Sequence, residues 1–200
     1  EPLFINGYAN HGGRAELNVQ LAHRFKKNAS AELLLHGSSQ FNKSDHNRDG
    51  FLDQPLYKQF NGYHRWHFGI PNKLEAQIGV RAIYEDRQGG QTNFSYKKDF
   101  ATQNFYGVGI KNTLFELFTK TGTINRAKPY QSLALITSTR LHLQDAYFGL
   151  TTYNAIQRSF YANTIYQTIL GDTRHYIRSG VSFNYNDYFE KMNGIPIRTE

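Results

Sequence analysis

Leu74-Glu75-Ala76-Gln77-Ile78-Gly79-Val80-Arg81-Ala82-Ile83-Tyr84-Glu85 divides into two interleaved sets. Leu74, Ala76, Ile78, Val80, Ala82 and Tyr84 form one; Glu75, Gln77, Gly79, Arg81, Ile83 and Glu85 form the other. Successive side chains of a β-strand point to opposite faces, so this spacing predicts a strand with one apolar and one polar side. The same alternation recurs outward from it. Leu17, Val19, Leu21, His23 and Phe25 oppose Glu16, Asn18, Gln20, Ala22 and Arg24. Leu133, Leu135, Thr137, Thr139, Leu141 and Leu143 alternate with the residues between Ser132 and Gln144. Near the end, Ile177, Val181, Phe183 and Tyr185 oppose Arg178, Gly180, Ser182, Asn184 and Asn186. The fold class is all-β and antiparallel, with about ten strands at most.

Between the alternating segments, short turns are expected at 26–30, 70–73, 112–113 and 171–174. Long polar connections are expected at 42–58 and 86–101, with an irregular stretch around 144–154. This scheme contains a conflict. With 42–58 and 86–101 on one side of the sheet, a turn at 112–113 sends the 144–154 region to the other side. Either 112–113 is a bulge within one long strand, or one strand is miscounted.

Composition narrows the class. The 200 residues are 15% aromatic but only 39% hydrophobic, with 15 Phe, 14 Tyr and one Trp. Mean hydropathy is −0.62. Disordered chains are poor in rings and β-branched residues, which argues against disorder. No run approaches the roughly 18 apolar residues of a spanning helix. With no cysteine, disulfides, thiolate metal sites and cysteine nucleophiles are all absent. The net charge of +7 comes from scattered basic residues, with no basic helix or aromatic nucleic-acid motif, so no nucleic-acid partner is expected.

Long strands with a polar second face, and connections of two lengths, match a transmembrane β-barrel. Hydrocarbon offers backbone groups no partner, so strands there must pair with one another, apolar faces to lipid and polar faces to the lumen. Phe25, Phe41, Phe60, Phe68, Tyr84, Phe94 and Phe105 sit where interfacial aromatic girdles would fall. A soluble β-sandwich binding module also alternates, but its strands are usually shorter and its core strands more continuously hydrophobic.

Several stretches resemble a known family. They are Glu16-Leu17-Asn18-Val19-Gln20-Leu21, Leu33-Leu34-Leu35-His36-Gly37-Ser38, and the run from Asp45 to Pro55. Lys120-Thr121-Gly122, Phe148-Gly149-Leu150-Thr151-Thr152-Tyr153-Asn154 and the run Ser159 to Gln167 continue the likeness. Their order along nearly the whole chain resembles the barrel of TonB-dependent outer-membrane receptors of the ferric-siderophore, colicin and cobalamin type. The resemblance implies a 22-stranded barrel whose lumen holds an N-terminal plug, with residues 1–200 forming about half of that one barrel domain. It implies location in the Gram-negative outer membrane and partners in its lipid. It further implies active uptake of a scarce nutrient such as an iron–siderophore, haem or cobalamin. Energy would come from the TonB complex acting on a plug expected to lie outside this chain, as would the remaining strands. No bond is made or broken, and no cofactor is required. The segment Ile195-Pro196-Ile197-Arg198-Thr199-Glu200 reads as a loop. A competing reading is a complete ten-stranded outer-membrane enzyme of the surface-protease kind, with Asp45, His46 and Asp49 at the barrel mouth.

Two groups of side chains are candidate sites. Asp45-x-Asn47-x-Asp49-Gly50-Phe51-x-Asp53 places oxygens at positions 1, 3, 5 and 9 of a calcium loop, the carbonyl of Phe51 at 7 and Gly at 6. Leu56 stands at position 12, where a bidentate Glu is expected. The plainer account is a loop of Asx turns without metal. The polar faces carry Arg24, Arg65, Arg81, Arg140 and Arg178, which either attract an anionic ligand or pair with carboxylates of the plug or with Glu16, Glu75 and Glu85 on neighbouring strands. Arg81, Glu85, Arg87, Arg140 and Arg178 are the candidate lumen and ligand residues. Within them, Glu85–Gln91 reads as an exposed ligand-contact loop whose Gly89-Gly90 pair supplies a hinge or turn. His64 and His67, three apart on a strand, point to opposite faces and cannot share a metal.

Overall fold

The computed structural model describes residues 2–197. They form one antiparallel sheet of ten strands in strict chain order. The strands are β1 (Leu3–Ala9), β2 (Arg14–Lys26), β3 (Ala29–Gln40), β4 (Leu56–Ile70) and β5 (Leu74–Gly90). Then follow a one-turn helix α1 (Tyr96–Asp99), β6 (Gly107–Ile124), β7 (Ser132–Phe148), β8 (Thr151–Ile169), β9 (Tyr176–Met192) and β10 (Ile195–Ile197). The longest, β8, has 19 residues, several times the usual five or six.

Each connection joins neighbours, so the long links fall at one end of the sheet. That end carries 41–55 and 91–106, with tight turns at 10–13, 149–150 and 193–194. The opposite end carries 27–28, 71–73, 125–131 and 170–175. Asn193 and Gly194 both have positive φ, 51° and 78°, the backbone an Asn-Gly hairpin turn requires.

Four expectations change. Asn112 and Thr113 are not a turn; they lie within one long strand, β6, without a bulge, paired with Glu85 and Tyr84 on one side and Gln144 and Leu143 on the other. The turn sits instead at 125–131, where Pro129 removes a ladder donor. The 144–154 region is two strand ends around a two-residue turn, on the same end as the long loops. Residues Glu85–Gly90 are strand, not loop, and residues 195–197 are strand β10; 198–200 lie outside the described residues.

Register places every apolar set from the sequence on one side. Leu21, Leu33, His64, Val80, Leu117, Thr139, Phe160 and Tyr185 are successive cross-strand partners on the apolar face. One residue along, Gln20, Leu34, Tyr63, Arg81, Glu116, Arg140, Ser159 and Asn186 make the matching row of the polar face. No second layer covers either side among the described residues. Phe94 and Ala146 are the buried hydrophobics, while Leu117, Leu133, Phe115 and Phe183 are each about half exposed. The sheet is not closed. The outer edge of β1 and most of that of β9 have no partner strand among the described residues.

Candidate functional site

The polar face carries a cluster of charges at its centre. Glu116 of β6 lies directly between Arg81 of β5 and Arg140 of β7. One Arg81 guanidinium nitrogen is 2.7 Å from its Oε2, and one of Arg140 is 3.3 Å from its Oε1. The Ser138 hydroxyl donates to the same Oε1 at 2.6 Å. Glu116 is nearly buried at 11% exposure, while both arginines are 40% exposed. The Nε atoms of Arg81 and Arg140 are buried without a partner. Two cations thus share one carboxylate, leaving one net positive charge.

Elsewhere on this face three arginines each meet a carboxylate of their own, while Arg24 and Arg178 meet none among the described residues. Arg65 meets Glu32 at 2.6 Å, Arg87 pairs with Glu85, and Arg14 with Glu16. Asn112 also donates to Glu85, at 3.3 Å. Arg178 stands apart, donating to Gln167 and resting near the Tyr176 ring. Of the candidate ligand residues, then, Arg81 and Arg140 come together, Glu85 and Arg87 pair with each other, and Arg178 joins neither group. Sequence reading missed Glu116. A lone acid in Leu114-Phe115-Glu116-Leu117-Phe118 was the available signal, hidden when β6 was divided at 112–113.

The two long loops are tied together. The Leu52 amide donates to the Gly90 carbonyl, Thr92 donates to Gly50, and Phe51 bridges to Gln91. Lys43 reaches the Thr92 carbonyl. Within 41–55, the calcium-like residues are occupied by their own backbone. Asp45 accepts from the Asp49 and Gly50 amides at 3.1 and 3.0 Å; Asp49 accepts from Phe51 at 2.8 Å. Asn47 accepts from the Asp49 amide. Asp53 accepts from the His46 amide at 2.8 Å, a bond that, with those from the His46 ring and the Ser44 hydroxyl, holds its carboxyl below the usual carboxylate range. Leu56 opens β4 and offers the loop only a backbone carbonyl. No group of three or more His, Asp or Glu side chains among the described residues converges as metal ligands do.

Ser44, His46 and Asp53 are the residue types of a hydrolytic triad. Their geometry is not one. The Ser44 Oγ and the Asp53 Oδ2 both lie against the same ring nitrogen, Nδ1, at 2.7 and 2.8 Å. A relay needs the nucleophile on one ring nitrogen and the carboxylate on the other.

The apolar face has a bounded height. Phe60, Tyr84, Thr113, Leu143, Ile156 and Phe189 form one row across the sheet near the long-loop end. The next row outward is Lys58, Asp86, Lys111, Asp145, Asn154 and Lys191. Toward the opposite end the face runs to Ile70 and Leu74, with Phe68 one row inside that limit and Trp66 and Phe183 in the row before it. Phe41 and Phe105 belong to the long loops, and Phe94 is buried beneath its own. A shallow trough of about 890 Å³ lies on this face, among Leu33, Leu35, Phe60, Val80, Phe115 and Phe160. Among the described residues one ion pair interrupts the apolar surface: Arg158 faces Asp187 across β8 and β9, with 3.7 Å between charged atoms. Compared with protein-family models, curated proteins and solved structures, the chain has no significant match.

Proposed function

We propose that this sheet is a section of the wall of an outer-membrane β-barrel receptor of the TonB-dependent kind, taking up a scarce nutrient. The single observation that carries the membrane reading is an apolar face without a covering layer and with a fixed height. From Phe60 to Ile70 the face spans eleven residues. Eleven residues cover roughly 33 Å along a strand, which a tilt of about 40° reduces to roughly 25 Å, the height of a barrel's lipid-facing band. A soluble protein of this size would cover so large an apolar face with a second layer.

In this reading the apolar face meets lipid and the polar face lines the lumen. Open sheet edges cannot face hydrocarbon, so further strands complete the wall, and a plug fills it. Arg81, Glu116 and Arg140 then face the lumen at mid-height, where their surplus positive charge suits an acidic side chain of the plug or an anionic ligand. The long-loop end lies outside the cell, and the tied loops 41–55 and 91–106 take part in capture. The mechanism is binding followed by gated passage, with no covalent chemistry. The TonB dependence rests on the sequence resemblance alone.

The test uses Trp66, the single tryptophan of these 200 residues, which lies on the apolar face beside His64 with ring centroids 3.9 Å apart, and reads its emission as the difference between the protein and its Trp66→Phe variant. In the whole protein reconstituted into phosphatidylcholine vesicles, brominated acyl chains are expected to quench its emission. Conversely, expression of these residues without detergent as a monodisperse, cooperatively unfolding monomer would sink the membrane reading.

A further inference from the structure

The charged row at the long-loop end leads into a pocket. Beyond it, the segment 91–106 folds back over the apolar-face side of the sheet. Phe94 is buried there, and Tyr96 and Phe100 pack on Tyr147 with ring centroids 5.4 and 5.5 Å apart. Gly109 makes the arrangement possible: a Cβ at that position would sit 2.2 Å from the Tyr147 ring. The result is a recess of about 520 Å³, half polar and half apolar in its lining. That is the size of a small-ligand site.

Its polar floor is Asp86, Lys111, Asp145 and Asn154, directly opposite one another on β5 to β8. Asn154 donates to Asp145 at 2.7 Å. The ion pairs among the described residues lie elsewhere, so Asp86, Lys111 and Asp145 keep hydrogen-bonding capacity free. The walls are the rings of Tyr96, Phe100 and Tyr147.

This mixture selects a ligand chemistry. Carboxylates only accept hydrogen bonds and an ammonium only donates. A cation would satisfy Asp86 and Asp145 but meet Lys111; an anion would do the reverse. Hydroxyl groups donate and accept, and satisfy all three at once. Flat rings beside such a floor favour a ligand with an apolar face as well. Vicinal hydroxyls on a ring with a C–H face describe a pyranose sugar.

We propose that this recess binds the sugar of a glycolipid head group. This deepens the membrane reading and rests on it, because the recess opens on the lipid side of the wall. It lies immediately beyond the charged row that ends the apolar band. A head group whose acyl chains lie against Phe60, Tyr84 and Phe189 reaches it without leaving the membrane surface.

The experiment reconstitutes the whole protein in phosphatidylcholine vesicles with and without monogalactosyldiacylglycerol. Saturation transfer from protein to galactose protons is the readout, and gel mobility without heating checks the fold. Transfer is expected to the lipid-borne galactose. It should fall about tenfold in apparent affinity in Asp86→Ala and in Tyr96→Ala, two exposed side chains outside the strand hydrogen bonding. Folded protein giving no transfer overturns the sugar site and leaves the membrane reading standing. Free methyl β-galactoside binding as tightly as the vesicle-borne sugar overturns the lipid source. Failure to insert into either vesicle overturns both proposals.

Discussion

Glu116 and Leu117 are consecutive residues of one strand and live in different surroundings. Glu116 is nearly buried on the polar face, between Arg81 and Arg140, with a hydroxyl from Ser138. Leu117 is 49% exposed on the other face, in a row with Val80 and Thr139. The contrast extends to the ion pairs. On the polar face, charges gather into a bonded group; on the apolar face, Arg158 and Asp187 are left alone, 3.7 Å apart and 70% and 46% exposed. The sheet therefore presents two chemically different surfaces on either side of a single layer of backbone. What each surface meets is an energetic question that substitutions answer.

Leu117→Arg is the strongest way to break the contrast. In the reconstituted whole protein it is expected to cost about 2–4 kcal/mol, the penalty of a cation near the lipid midplane. Urea unfolding followed by unheated gel mobility measures it; a change near zero means that the apolar face meets water. Glu116→Ala comes next. It leaves two guanidiniums facing each other, and should cost about 1–2 kcal/mol, limited by the water that reaches both arginines. Glu116→Gln should restore part of this by keeping the bond from Ser138.

Replacing Arg158 and Asp187 together by leucine sharpens the comparison from the other side. In lipid, near the boundary row, the double variant should gain up to about 1 kcal/mol, because an ion pair is exchanged for apolar surface. Arg158→Leu alone should do worse than the pair, since it leaves Asp187 without its partner. Smallest is the effect of pH on the loop 41–55. The Asp53 carboxyl titrates below its unfolded value, so its contribution is complete above the unfolded pKa, about 4, and fades as pH falls through the lower folded value. Limited proteolysis of 41–55 should increase in acid and be blunted in Asp53→Ala. A calcium chelator at neutral pH should leave that proteolysis unchanged, because Asp45, Asn47 and Asp49 already bond to the loop's amides.

Both faces could be read from alternation because side-chain period is a local property. Leu74 to Glu85 and Ser132 to Gln144 needed no knowledge of their neighbours. The break placed at Asn112-Thr113 shows the limit. Asn is a common turn residue, but here its amide serves Glu85 on one adjacent strand and its oxygen lies 3.3 Å from His142 on the other. Those partners are decided by register, not by local sequence. The Arg81–Glu116–Arg140 group was out of reach for the same reason, since pairing across three strands assembles it. Glu85–Gln91 looked like a loop from its polarity, although Glu85 and Arg87 are partners on one face of β5. The Asn193-Gly194 turn was the clearest local signal left unread.

The two margins of the sheet carry a constraint of parity. β1 and β9 run in the same direction, and β10 turns back against them. A wall in which every neighbour is antiparallel cannot close β9 directly onto β1. Joining β10 to β1 requires an even number of intervening strands, zero included, so any such cylinder containing this sheet has an even total. Bacterial single-chain barrels obey that rule. The tight turn at 193–194, by adding β10, is what gives the sheet two margins of opposite direction.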